Sequence, residues 1–336
     1  MNMNLTRIAK LAGVSVSTVS KAFSGSAEIS EKTRQRIFEV AKEQGLYDKY
    51  NKNKFGKKVI GVICPEITSD YYNMFASILN RKIVERGGLM TLSVGNFDPA
   101  REAELFTYYS SYCGVDGVIL INPSGEIKNP FHFPAVSILP AKASENVDTV
   151  QIDFAAAIGS AIGYLKEKGH TRVAFAGETL TAAKQALFES AMRKAGLPLR
   201  AAWIKNSSKR FEEAGEEMMR GWLIEGPLPT AILAAYDYIA IGIIKVLREH
   251  GLRVPEDISV IGMDDIAMAP YLDTSLSSIR TYTEEACGQT VDLITKKFEN
   301  PYYHAHREIR IAAEFIPRSS VGSARSRSAS CAEEPQ

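Results

Sequence analysis

From Val59 onward, continuous apolar runs alternate with amphipathic helical stretches, and that alternation leaves few architectures open. The runs are VIGVIC (59–64), LMTLSVG (89–95), VDGVILI (115–121), RVAFAG (172–177), TAILAA (230–235) and ISVIGM (258–263). Apolar residues on both faces of a strand, with helices between strands, are the pattern of a buried parallel sheet. The runs form two comparable series, roughly 59–150 and 151–317, which predict two doubly wound α/β lobes. Ligands of such sheets sit beyond the carboxyl ends of the strands, so a cleft between facing lobes is the expected pocket.

Ahead of the lobes, residues 5–25 (LTRIAKLAGVSVSTVSKAFSG) place two short helices around a tight turn. Leu5, Ile8 and Ala9 recur at helical spacing, and Gly13 supplies the positive φ that the corner requires. Ser15 is the N-cap of the second helix. There Val14, Val19 and Ala22 point inward, leaving Val16, Ser17, Ser20 and Lys21 on the other side. Short side chains on that side let a helix approach the floor of a major groove. Ser30 caps a third helix, whose Ile37, Val40 and Ala41 close a three-helix core before Gly45 ends it. A small bundle with no nucleic-acid role has the same periodicity, but charge argues against it. Residues 1–58 carry 12 Lys/Arg against 5 Asp/Glu, or +7, while the whole chain is +1 and the remainder therefore −6. A basic head on an acidic body is an electrostatic footprint for phosphates.

The 336 residues suffice for a head of about 55 residues and larger α/β lobes. No apolar run approaches 18 residues, and the polar start MNMNLTRIAK is unlike a signal peptide, so a cytoplasmic protein with no membrane partner is expected. Cys64, Cys113, Cys287 and Cys331 are far apart and form no CxxC pair, which predicts reduced thiols and no metal. Among the five histidines there is no HExxH: His170 precedes a strand, and His304 and His306 alternate in an edge strand. A P-loop, a GxGxxG after a strand and a GxSxG are all missing, so neither catalysis nor a cofactor is expected. The domain plan is a head at 1–47, a polar, basic linker at 48–58, a core at 59–317 and a low-complexity, disordered tail at 318–336.

The chain resembles the LacI/GalR family of bacterial transcription regulators over about residues 4–317. The resemblance rests on Ala12 to Ser20 in the head, and on YLKEKGHTRVAFAG (164–177), DYIAIGIIKVLREHGLRVPEDISVIGMDD (237–265) and LSSIR (276–280) in the body. It implies an all-α helix-turn-helix head plus an α/β core like that of periplasmic sugar-binding proteins. It also implies a homodimer on double-stranded DNA, a pseudo-palindromic operator, and a sugar or sugar-derivative effector between the lobes. The corresponding function is repression of carbohydrate-utilisation genes. The rivals are a sugar-modifying α/β enzyme and a solute-binding protein, each with a fused head.

Carried over residue by residue, the base-reading positions fall on Val16, Ser17 and Lys21, and the phosphate-bonding positions on Ser15, Thr18, Ser20 and Thr33. Lys21 stands where relatives carry Arg and lacks the bidentate fork to guanine, which implies a looser base preference. The linker lacks the family's Pro-Asn and Ala-Arg-x-Leu pattern and is about three residues shorter; Phe55 falls on the position of the minor-groove wedge, or else packs on the core. Effector-facing positions fall on Tyr71 and Tyr72 after the first strand, Asp153, Lys184, Tyr236, Asp237 and Asp264. Lys184 replaces an Arg and leaves room for a phosphate or carboxylate, Tyr236 replaces an Asn, Asp237 doubles as a helix cap, and Asp265 does structural work.

Overall fold

The computed structural model describes residues 3–24, 26, 28–47, 57–130, 132–140, 142–299 and 306–325. The head comprises α1 (Met3–Ala12), α2 (Val16–Phe23) and α3 (Glu31–Glu43). Ile8, Ala9, Ala12, Val19, Ala22, Ile29, Ile37 and Ala41 form its buried centre. Gly13 has φ +62 at the corner, and Gly45 has φ +62 just beyond α3, as expected. Ser15 and Ser30 both cap, accepting from the backbone N–H of Thr18 and Thr33. Two core features were not anticipated. Phe23, Phe38 and Tyr47 form an aromatic cluster with centroids 5.1 to 6.0 Å apart. Arg34 is fully buried, donating to Ala22 O (2.8 Å) and Ser26 O (2.6 Å). It ties the end of α2 to the turn that follows it.

The remaining residues form two α/β units, each with a six-stranded sheet. The first sheet has the order β11-β5-β4-β3-β1-β2, with β1 (Val59–Cys64), β2 (Leu89–Val94), β3 (Gly117–Ile121), β4 (Ala135–Ile138), β5 (Asp148–Asp153) and β11 (Glu308–Ala312). All ladders from β2 through β5 are parallel. Its helices are α4 (Asp70–Glu85), α5 (Pro99–Ser111) and α10 (Thr283–Glu299). The second sheet has the order β12-β10-β9-β8-β6-β7, with β6 (Val173–Glu178), β7 (Ile204–Ser207), β8 (Ala231–Ala234), β9 (Ser259–Asp264), β10 (Ser277–Arg280) and an antiparallel edge strand β12 (Glu314–Ile316). Its helices are α6 (Ala155–Glu167), α7 (Ala182–Lys194), α8 (Phe211–Glu225) and α9 (Asp237–Glu249). The helices α8 and α9 pack backbone to backbone: a methyl built on Gly215 or Gly242 would stand 2.1 Å from a carbonyl oxygen of the other helix.

The expected class, a helical head on two parallel-sheet lobes, is borne out, with three corrections. The two series are not separate segments, because α10 and β11 return to the first unit after the second is nearly complete. The run at 89–95 is a strand but not a buried one: β2 is an edge, and its residues are exposed or half-buried. The tail does not begin at 318. Ser320 is fully buried, donates to Val260 O (2.6 Å) and accepts from Val260 N (2.9 Å), and Gly322 O lies 3.0 Å from His170 Nε2. The ordered chain therefore runs to Arg325 at least, because its backbone groups find partners on β9 and the loop before β6. Asp48 to Gly56, and with them Phe55, lie outside the described residues, as do His304 and Cys331.

Candidate functional sites

On the head, Ser15, Ser17 and Ser20 are exposed, and Thr18, Lys21 and Thr33 half-buried. Ser15 Oγ accepts from Thr18 N (3.0 Å) and shares a 2.8 Å hydrogen bond with Thr18 Oγ1; Ser30 and Thr33 repeat the hydroxyl pair at 2.8 Å. Val16 was expected to face outward, but it is half-buried against the head core. The 100° turn between residues leaves it on the boundary of the two faces. Lys21 forms an ion pair with Glu28 across the turn after α2. That ammonium holds the Glu28 carboxyl below its usual range. Gln35, on α3, donates instead to Ser111 Oγ at the end of α5 (3.0 Å), and the Arg34 guanidinium lies 4.6 Å from the Tyr112 ring.

In the first unit, Tyr71 and Tyr72 open α4 just beyond β1. Tyr72 is buried, so its reading as a ligand platform is corrected: its ring packs edge-on to Tyr71 (5.4 Å) and Phe97 (5.9 Å), and its hydroxyl accepts from Asn122 Nδ2 (2.5 Å) at the end of β3. Tyr71 is half-buried and also packs against Phe75 at 5.0 Å. Nearby, Glu102 is buried and accepts from Ser124 N (2.8 Å) and Ser124 Oγ (3.1 Å), and burial pushes its carboxyl upward.

The second unit gathers polar residues at the carboxyl ends of its parallel strands. Lys184 on α7 donates to Ala235 O (2.7 Å), stands 3.6 Å from Asp264 Oδ1 and lies 4.9 Å from the Phe154 ring centroid. Asp264 ends β9 at φ +99, its side chain is only 9% exposed, and its Oδ1 has no partner within close hydrogen-bond distance. Burial raises its carboxyl while the Lys184 ammonium pulls it back. Asp237, expected on the pocket face, has no exposed surface. Its Oδ1 accepts from Ser278 Oγ (2.6 Å) and its Oδ2 from Ile266 N (2.8 Å), so it ties α9 to β10 and to the loop after β9. Burial, then the charge of Asp264, pushes it up to about 8. Only glycine fits at 262 beside it, since a methyl there would meet Asp237 Oδ1 at 2.0 Å. Asp153 is half-buried and accepts from Ala155 N (2.9 Å), a capping role at the start of α6. Asp265 does the structural work expected of it, closing on Arg280 and Arg318 at 2.7 Å each.

Sequence reading missed a second part of this cluster. Glu178 ends β6, is buried, and pairs with Arg210 at 3.3 Å. Tyr236 lies against both, its hydroxyl accepting from Phe211 N (3.0 Å) and its titration raised by burial. The signal for Glu178 was its place directly after the run RVAFAG; nothing local marks Arg210.

A compact helical head with exposed hydroxyls and a lysine, carried on two parallel-sheet units with polar strand ends, defines a DNA-binding transcriptional regulator. Residues 4–47 match the model of bacterial regulatory proteins of the lacI family, and residues 162–321 match that of the periplasmic binding protein-like domain. The chain thus carries a LacI-family helix-turn-helix head and a periplasmic-binding-protein-like core, and its relatives are LacI-family regulators. It is 28% identical over 295 residues to the HTH-type transcriptional regulator DegA of Bacillus subtilis, covering 83% of this chain and 86% of DegA. It is 28% identical over 316 residues to the ribose operon repressor of Escherichia coli, covering 89% and 94%. In fold it is similar to a LacI-family protein from Silicibacter pomeroyi (TM-score 0.69, 20% identity, 95% of this chain and 99% of that one). It is also similar to a LacI-family regulator from Enterococcus faecium with bound ribose (TM-score 0.67, 22% identity, 80% and 100%). These relatives are transcriptional regulators rather than enzymes. Among the described residues, no helix is long and apolar enough to cross a membrane.

Proposed function

We propose that this regulator is a cytoplasmic homodimeric repressor of carbohydrate-utilisation genes, whose hold on a pseudo-palindromic operator is altered by a sugar or sugar derivative. The observation that carries the sugar assignment is the pair of Lys184 and Asp264 at 3.6 Å, half-buried at the strand ends beside the Phe154 ring. A fixed donor, a fixed acceptor and an aromatic face are what a polyol with one apolar ring face requires. The ribose operon repressor and the ribose-bound regulator give the same class of ligand a precedent in the family. On the second unit Asp264, Lys184 and Tyr236 are assigned to the ligand, with Asp153 and Asp237 supporting them.

In the head, Ser17, Lys21 and Val16 read bases, while Ser15, Thr18, Ser20 and Thr33 bond phosphates and set register. Phe55 is the proposed minor-groove wedge. Large apolar side chains on the second unit suit contact with a second copy: Ile224 is 86% exposed, Tyr271 79% and Met268 58%. The effector acts because it binds one conformation of the dimer better than another, and that difference is the whole of the coupling.

The test is a titration of the full chain with duplexes enriched from a random pool, repeated with free sugars present. A preferred duplex whose affinity at least one sugar changes about tenfold or more, a coupling of ordinary size, is the expected result. A chain that binds every duplex alike at moderate salt overturns the reading.

A further inference from the structure

The four half-buried cations of the strand-end cluster in the second unit, Lys184, Arg210, Arg280 and Arg318, each face a carboxylate. Lys184 lies 3.6 Å from Asp264, Arg210 3.3 Å from Glu178, and Arg280 and Arg318 each 2.7 Å from Asp265. Lys184 has also committed one N–H to Ala235 O at 2.7 Å. Asp264 Oδ1 itself is buried and meets only the Lys184 ammonium, at 3.6 Å and beyond close hydrogen-bond distance. An ionised carboxylate only accepts, so this oxygen calls for a donor.

We propose that this cluster selects a neutral, hydroxyl-rich ligand and rejects its phosphorylated or carboxylated forms, Asp264 being the residue that rejects them. The proposal rests on the sugar-effector reading and narrows it. A hydroxyl donates to Asp264 and accepts from Lys184 at once, which a half-buried pair of opposite charges rewards. A phosphate or carboxylate oxygen accepts only, and would bring like charge against Asp264 in a site with little water to screen it. The room that a lysine at 184 leaves for an anion, read from sequence, is closed by its partner at 264. Burial keeps the Asp264 carboxyl upward and Lys184 pulls it back, which agrees with a pair that shares one site.

The test uses the full chain, inorganic phosphate as probe and isothermal titration. Wild type is expected to show no saturable phosphate binding up to roughly millimolar levels. Asp264→Asn, which keeps the shape and tolerates positive φ, is expected to gain saturable binding that disappears in the double variant Asp264→Asn with Lys184→Met. Saturable, Lys184-dependent binding by wild type overturns the proposal, and so does a folded Asp264→Asn that gains none. In a second arm, ribose and glucose are compared with ribose 5-phosphate and glucose 6-phosphate. Whichever free sugar binds should do so about a hundredfold more tightly than its ester, the factor that one like-charge contact of a few kcal/mol imposes. An ester that binds as tightly as its sugar overturns the proposal and leaves the sugar reading standing. Failure of every sugar and ester to bind overturns the sugar reading, and the proposal falls with it.

Discussion

In the head, Ser15, Ser17 and Ser20 stand exposed on one short helix, and the one charged residue proposed to read bases, Lys21, is held by a single surface carboxylate. In the second unit, Glu178, Asp237 and Asp264 come from three different segments, the first two buried and the third nearly so, and each is tied to a side chain of another segment. The difference fits the partners proposed for them. A duplex brings a dense row of charge and releases counterions when it is met, so exposed groups on a convex surface suffice. A small molecule offers few contacts, and buried, mutually fixed groups are what make those contacts selective.

If that contrast is right, truncation in the cluster damages the fold and truncation on the reading face does not. Asp237→Ala strands the Ser278 hydroxyl and the Ile266 N–H in a buried site. A loss of about 2–4 kcal/mol in urea unfolding of the full chain is expected, with Asp237→Asn recovering most of it. A loss near that of a surface substitution would break the contrast.

Asp237 also gives the second unit a pH dependence that the reading face lacks. Its native carboxyl titrates at about 8 against an ordinary 3.8. Between those values the native state holds a proton that the unfolded chain has released, so stability falls as pH rises from about 4 and through 8. Urea midpoints measured across that window should fall, on the order of a few kcal/mol in all, and should flatten in Asp237→Asn. A wild-type profile that is already flat would show Asp237 to be ionised in place.

On the reading face, Lys21→Ala should leave stability near wild type and cost about tenfold in affinity for a preferred duplex, with less loss on random DNA. Equal loss on both would reassign Lys21 to phosphate. The smallest effect belongs to Glu28→Gln, which frees Lys21 and should tighten binding to all duplexes severalfold while steepening the salt dependence by about one counterion. No change would show the pair to be irrelevant once DNA arrives.

The contrast also explains what could be read from the chain before its fold was known. The head was legible because its information is local: Gly13, Ser15, Ser30 and Gly45 act within a few residues of where they stand. Arg34 was not, since a charged residue on a helix reads as solvent-facing until a carbonyl of another helix and one of the turn after it are brought to it. The strands β1, β3, β6, β8 and β9 announced themselves as apolar runs, whereas β7 (IKNS) and β10 (SSIR) are polar and carry no such signal. Lys184 and Asp264 were named through the family resemblance. Their pairing was not, and neither was the Glu178–Arg210 pair, whose members lie 32 positions apart.

By itself, the order of residues determined the helical head, its caps and its corner, and the parallel character of the sheets, because periodicity and capping act over a turn or a strand. Only the tertiary structure decided that α10 and β11 return to the first unit, that residues 318–325 pack rather than trail, and that Asp237 is a buried tie while Asp264 faces the Lys184 ammonium. Those outcomes depend on which distant groups share a space emptied of water, and a charge in such a space answers to its neighbours rather than to its place in the chain.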